Sequence, residues 1–142
     1  MKATIETSKT WNGGPLTHDM FDELQGAMLA SAKRIAADAR GRINLGPGDP
    51  KHLRDTVRAR AGRHEAAGGE HETALPVAYV FAGERRAGVY WHYMVEYGTY
   101  DKPAHPFMRP AVDANFNPTL AEAARAGKRA LNKQRREKRQ AN

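Results

Sequence analysis

The chain has 142 residues and a mass of 15.7 kDa, with 40% apolar and 27% charged residues, no cysteine and a mean hydropathy of -0.75. That length and apolar share predict one globular body with a modest core and solvated ends, and the missing cysteine excludes disulfide scaffolds, thiolate metal sites and a cysteine nucleophile. The formal charge of +7 sits at one end: residues 1–124 carry 15 basic and 15 acidic side chains, whereas Arg125 to Asn142 carries eight basic ones against Glu137 alone.

Residues 1–16 read as a polar N-terminal arm, with Lys2, Glu6 and Lys9 among small residues, a short edge strand at Thr4 to Thr7 and a turn at Trp11 to Pro15. No signal-peptide core and no run of eighteen apolar residues occurs, so a soluble, unsecreted chain with no membrane partner is expected. From Thr17, a capping residue, Phe21, Leu24, Met28, Ala32, Ile35 and Ala39 recur every three or four positions and predict a helix to about Arg42, about 35 Å long. The Gly46-Pro47-Gly48-Asp49-Pro50 cluster stops it.

Pro50 to Leu53 suggests a helical turn, and Thr56 to Arg60 alternates as a strand that Gly62 ends. Glu65 to Glu72, with Gly68-Gly69, reads as a mobile hairpin loop. Ala74 to Phe81 is the most apolar strand candidate, with Pro76 on an edge or at a bulge, and Gly83 to Gly88 makes a charged turn. Val89 to Tyr97 fits strand or helix: its aromatic and branched content suits a strand, while Tyr90, Tyr93, Met94 and Tyr97 follow helical spacing.

Gly98 to Arg109 is loop-like, Pro110 suits the first position of a further helix, and Asn117-Pro118 either kinks that helix or starts another. Beyond Leu120 the alanines favour helix, but only Leu120 and Leu131 are large and apolar, so this helix is expected to leave the body. The sum is an α+β fold in which a long N-terminal helix and a C-terminal helix pack on a small antiparallel sheet, with a basic helical C-terminal extension. The corresponding segments are the arm, a domain at 17–124 and the extension at 125–142.

Few chemistries survive inspection. The six histidines are dispersed without metal-binding spacing, and the nearest cluster, His64 to Glu72, suits a solvated hairpin. Ser8 and Ser31 lack a nucleophile turn, no phosphate-binding glycine loop is present, and Glu96 with Asp101 is the only aromatic-flanked carboxylate pair. No catalytic, cofactor or metal residues are therefore assigned, and a non-enzyme is expected. Arg125, Lys128, Arg129, Lys133, Arg135, Arg136, Lys138 and Arg139 are candidates for a polyanion or an acidic protein partner, although no stacking aromatic accompanies them.

Tyr90 to Ala111 reads Y-W-H-Y-M-V-E-Y-G-T-Y-D-K-P-A-H-P-F-M-R-P-A. Val95-Glu96-Tyr97-Gly98-Thr99, followed by Ala104-His105-Pro106-Phe107-Met108-Arg109-Pro110-Ala111, resembles the signature of the tail-completion, or head-to-tail joining, proteins of long-tailed bacteriophages. Leu53-Arg54-Asp55-Thr56 is similar to a Leu-Arg-x-Ser segment of that family. The likeness spans roughly Thr17 to Leu131. It implies a structural virion protein, assembled in host cytoplasm, that sits in the neck as a ring of copies, six by the symmetry of the tail tube. Its partners would be itself, the tail tube or tail terminator and head-closure proteins, with possible contact to DNA in the channel. The rival reading is a small basic nucleic-acid-binding protein that uses its C-terminal tail.

Physically, Gly98 suits a positive backbone angle, the Thr99 hydroxyl can bond nearby backbone, and Phe107 between two prolines is a stiffly held apolar knob. Glu96 is expected to fix the Gly98-Thr99 turn, and Arg109 either pairs with Glu96 or stands in solvent. Together with His105, Pro106 and Pro110 these residues form the candidate structural and interface motif.

Overall fold

The computed structural model describes residues 18–43, 52–65, 74–84 and 91–141. The expected strand at 4–7, the turn at 11–15, the breaker at 46–50 and most of the 65–72 and 83–88 loops lie outside the described residues. The elements in chain order are α1 (His18–Arg42), α2 (His52–Thr56), β1 (Arg58–Glu65), β2 (Ala74–Phe81), α3 (His92–Tyr97) and α4 (Met108–Gln140). The fold is the expected α+β type, mostly helical, with one two-stranded antiparallel sheet among the described residues.

β1 and β2 pair from Arg58 opposite Phe81 to Glu65 opposite Ala74. Alternation turns Ala59, Ala61 and Arg63, with Pro76, Ala78 and Val80, toward the body. Ala59 and Val80 pack on the core, and the Arg63 guanidinium lies 5.1 Å from the Phe21 ring centroid of α1. Gly62 does not end β1. Tyr79 lies across it so closely that a Cβ there would come within 2.4 Å of the ring, so the tyrosine occupies the space a side chain would fill.

α1 packs against both strands and along α4. Being covered from two directions, it buries more than one stripe: Met20, Ser31, Ala32, Ala36 and Ala39 are all buried. At its C-terminal end Ala36, Ala39 and Ile43 join Leu53, Val57, Phe107, Met108 and Ala111 in the main core. Phe107, 1% exposed, is the largest fully buried side chain there. The segment Leu53 to Thr56 has a job at every end: Leu53 fills the core, the Arg54 Nε donates to the carbonyl of Arg40 at 2.9 Å, and the buried Thr56 hydroxyl donates to the Leu53 carbonyl while accepting the Gly83 amide.

α4 runs antiparallel to α1, as four successive links show. Asp38 and Arg34 meet Asn115, Arg34 and Ser31 meet Glu122, Glu23 meets Arg129, and Asp19 meets Lys133. Helix therefore continues through Pro118 without a second start. Ala114 and Pro118 are both exposed, so the carbonyl deprived of an amide partner faces water. The helix also stays on the body beyond Ala124, contrary to expectation: Ala126 and Ala130 are buried, because alanine lets two helices approach closely without large apolar groups. No helix among the described residues is long and apolar enough to cross a membrane.

These burial differences set an order of tolerance. Phe107→Ala should cost about 3–5 kcal/mol in urea unfolding, whereas Phe116→Ala, at a half-exposed position on α4, should cost about 1 kcal/mol or less.

Candidate functional site

Tyr97 closes α3, and the chain leaves it through Gly98, whose φ of 78° is in the region glycine favours. A Cβ on Gly98 would lie 2.8 Å from the Ala104 amide nitrogen and 2.9 Å from the Lys102 carbonyl oxygen, both backbone atoms that cannot swing aside. The Gly98 amide donates to the Met94 carbonyl, and the Thr99 amide donates to the Lys102 carbonyl. The Thr99 hydroxyl donates to the Asp101 carboxylate at 2.6 Å, not to backbone. The His105 amide then donates to the Val95 carbonyl at 2.8 Å and returns the loop to α3.

The centre of the motif is Glu96. It does not fix the Gly98-Thr99 turn; its carboxylate turns inward and accepts the amides of Phe107, Met108 and Arg109 at 2.8, 2.9 and 3.0 Å. An α-helix begins with four amides that have no partner within the helix. At α4 three of these go to Glu96, and the fourth position is Pro110, which has no amide. Pro110 therefore stands third in the helix, not first, and serves there by removing a donor. A carboxylate at this end also meets the positive end of the helix dipole.

Arg109 completes the clamp. Its Nε donates to the Glu96 carboxylate at 3.0 Å, its terminal nitrogen donates to the Glu96 carbonyl at 3.1 Å, and its guanidinium lies 4.7 Å from the Tyr97 ring centroid. Burial pushes the Glu96 carboxyl upward, but the three amides and the guanidinium overcome it and hold the group below its ordinary value. The Thr99 hydroxyl lowers Asp101 likewise. Both carboxyls of this pair are thus held in the charged form, the reverse of what a general acid requires.

Among the side chains that remain outward, beside the exposed Thr99, Asp101 and Lys102, are aromatic ones. Tyr93 and Tyr97 stack at 5.6 Å, and both are about half exposed, as is Met94; Tyr100 is fully exposed. A cleft of about 70 Å³ between α3 and the end of β2 is lined by Phe81, His92, Tyr93, Tyr97 and Phe107, far below the few hundred Å³ typical of small-molecule pockets. His92 is held below its ordinary value by burial, and its buried Nδ1 has no hydrogen-bond partner among the described residues. Phe107 belongs to the core and is no contact surface, whereas His105 and Pro106 are exposed. Among the described residues no group of three or more His, Asp or Glu residues gathers in a metal-binding arrangement.

The eight basic residues of the C-terminal segment divide into two sets. Arg129 Nε reaches Glu23 at 2.6 Å and Lys133 Nζ reaches Asp19 at 2.7 Å, so these two pin α4 to α1. Arg125, Lys128, Arg135, Arg136, Lys138 and Arg139 are exposed and form no salt bridge among the described residues. Sequence inspection missed the polar seam of Ser31, Arg34, Asp38, Asn115 and Glu122. Its signal was there, as polar residues at helical spacing on both helices.

Glu96→Ala should leave three amides and a guanidinium without their acceptor and cost about 2–4 kcal/mol, with Glu96→Gln losing less because one oxygen remains. A carboxyl lowered in the folded state stabilises above its unfolded value and loses that contribution as pH falls through the folded one. The stability gap between the native chain and Glu96→Gln should therefore be constant above about pH 5 and narrow in acid, as chemical denaturation across pH 2–7 will show. Gly98→Ala, strained in both angle and space, should cost about 1–3 kcal/mol in the same measurement.

Comparison with family models, with curated proteins and with solved structures gives no match.

Proposed function

We propose that this chain is a structural protein of a long-tailed phage virion, completing the head-proximal end of the tail and joining it to the filled head. One observation carries the reading. The residues of the phage-like signature act together in one place, where Glu96, Gly98, Phe107, Arg109 and Pro110 lock α3, its following loop and the start of α4 into one corner. The carboxylate of Glu96 is taken up in holding shape, and among the side chains the corner offers outward is the strip of Tyr93, Met94, Tyr97 and Tyr100.

Such a strip suits a repeated protein contact. Aromatic side chains and methionine supply large contact area with little loss of conformational freedom, and a rigid corner presents the same geometry in every copy. In a closed ring the strip of one copy meets a different surface of the next, so that each copy is used twice. Six copies follow from the family resemblance. The protein would reside in the host cytoplasm during assembly and in the neck of the finished particle.

Electron microscopy of purified particles carrying a labelled chain should place it at the junction of head and tail, and its absence from that junction would overturn the proposal. In solution, Tyr93→Ser with Met94→Ser should reduce self-association seen by light scattering. The thermal midpoint should fall by only a few degrees, since neither residue belongs to the Glu96 clamp.

A further inference from the structure

We propose that the outward face of the C-terminal half of α4 is a binding rail for the phosphate backbone of nucleic acid, built from Arg125, Lys128, Arg135 and Arg139. The inference stands apart from the ring proposal and rests on how the structure partitions the charges. At 3.6 residues per turn, Ala126, Ala130, Arg129 and Lys133 share the side that meets α1, where Glu23 and Asp19 neutralise the two cations. Arg125, Lys128, Asn132, Arg135 and Arg139 follow one another at steps of three, four, three and four residues, which gathers them on the side turned away. All five are exposed, and the four cations form no salt bridge among the described residues.

The rail extends about 21 Å along a helix at 1.5 Å per residue. Its first half rides on a segment that α1 holds by buried alanines and two ion pairs, so the cations project from a positioned support. The only carboxylate in the last turns, Glu137, lies on the α1 side by the same spacing, and the carboxylate nearest Arg125, Glu122, is already engaged by Arg34 and Ser31. A line of cations on a stiff rod matches a polymer that carries charge at short, regular intervals.

The composition of the face selects among polyanions. Protein interfaces draw most of their affinity from buried aromatic and apolar anchors, and this face has no aromatic: between its cations stands Asn132, with the half-buried Leu131 at its edge. Backbone phosphates need no such anchor, since affinity comes from charge neutralisation and counterion release. Without a stacking aromatic or a base-reading arrangement, binding should be indifferent to sequence.

The test uses the full chain and a fluorescent duplex of mixed sequence, with anisotropy read from 50 to 200 mM salt. Four phosphate contacts predict a log-log slope near -3.6, roughly 150-fold weaker binding across that range. Lys128→Gln with Arg135→Gln should reduce the slope by about 1.8, and Arg125→Gln with Arg139→Gln should do the same. Arg129→Gln with Lys133→Gln removes equal charge from the α1 side and should leave the slope nearly unchanged even if the thermal midpoint falls. Equal slope changes in all three variants would reduce the effect to bulk charge and overturn the rail, as would a native slope near zero. Polyglutamate binding as tightly as the duplex, with the same sensitivity to the rail variants, would assign the face to acidic protein and overturn the nucleic-acid inference. Light scattering on the same samples keeps the two proposals distinct, because a lost slope with unchanged self-association counts against the rail alone.

Discussion

One buried carboxylate sets the geometry of the C-terminal half of the molecule. Glu96 is the acceptor for the opening amides of α4, so the direction in which that helix departs is tied to the end of α3 by four hydrogen bonds to one side chain. Phe107 can enter the core because its own amide is satisfied at the same point. The loop between is constrained in turn: Gly98 supplies the backbone angle, and the His105 amide returns to Val95. A burial cost for the charge is accepted and offset by donors that would otherwise be orphaned themselves.

A second set of polar contacts does for the length of α4 what Glu96 does for its start. Ser31, Arg34 and Asp38 on α1 face Glu122 and Asn115 on α4, with Arg34 divided between the two partners. Alanine at Ala36, Ala39, Ala111 and Ala126 brings the helices near, but alanine alone discriminates poorly between one register and the next. Hydrogen bonds and ion pairs penalise a slip, because each mismatch strands a polar group. Close approach and register are thus assigned to different residues on the same two helices.

Much of this was legible in the chain. The periodic apolar positions of α1 and the continuous apolar run of β2 delimited both elements almost to the residue, although of the expected α1 stripe only Ala32 and Ala39 are buried. The Glu96 to Arg109 pair was one of two alternatives open to sequence inspection and is the one observed. What escaped was non-local. That Glu96 caps a helix beginning twelve residues later is invisible to local spacing, and the capture of Gly62 by Tyr79 requires knowledge of the strand register. The persistence of α4 on the body escaped because its buried side chains are alanines, which also occur in solvated helices.

The antiparallel pairing of the first and last helices has a consequence for the order of events at the ribosome. The contact between Asp19 and Lys133 joins residues 114 positions apart, and the Ser31 to Glu122 bond spans 91. α1 emerges early, and the hairpin can cover one of its sides soon after. Its other side waits for almost everything else to be synthesised. Throughout that interval the nascent chain displays an uncovered flank that mixes alanine and Leu24 with Arg34 and Asp38 still hydrated, a state more tolerant of delay than a uniformly leucine surface. Sparing use of large apolar groups along this seam thus protects the half-made molecule as well as shaping the finished one.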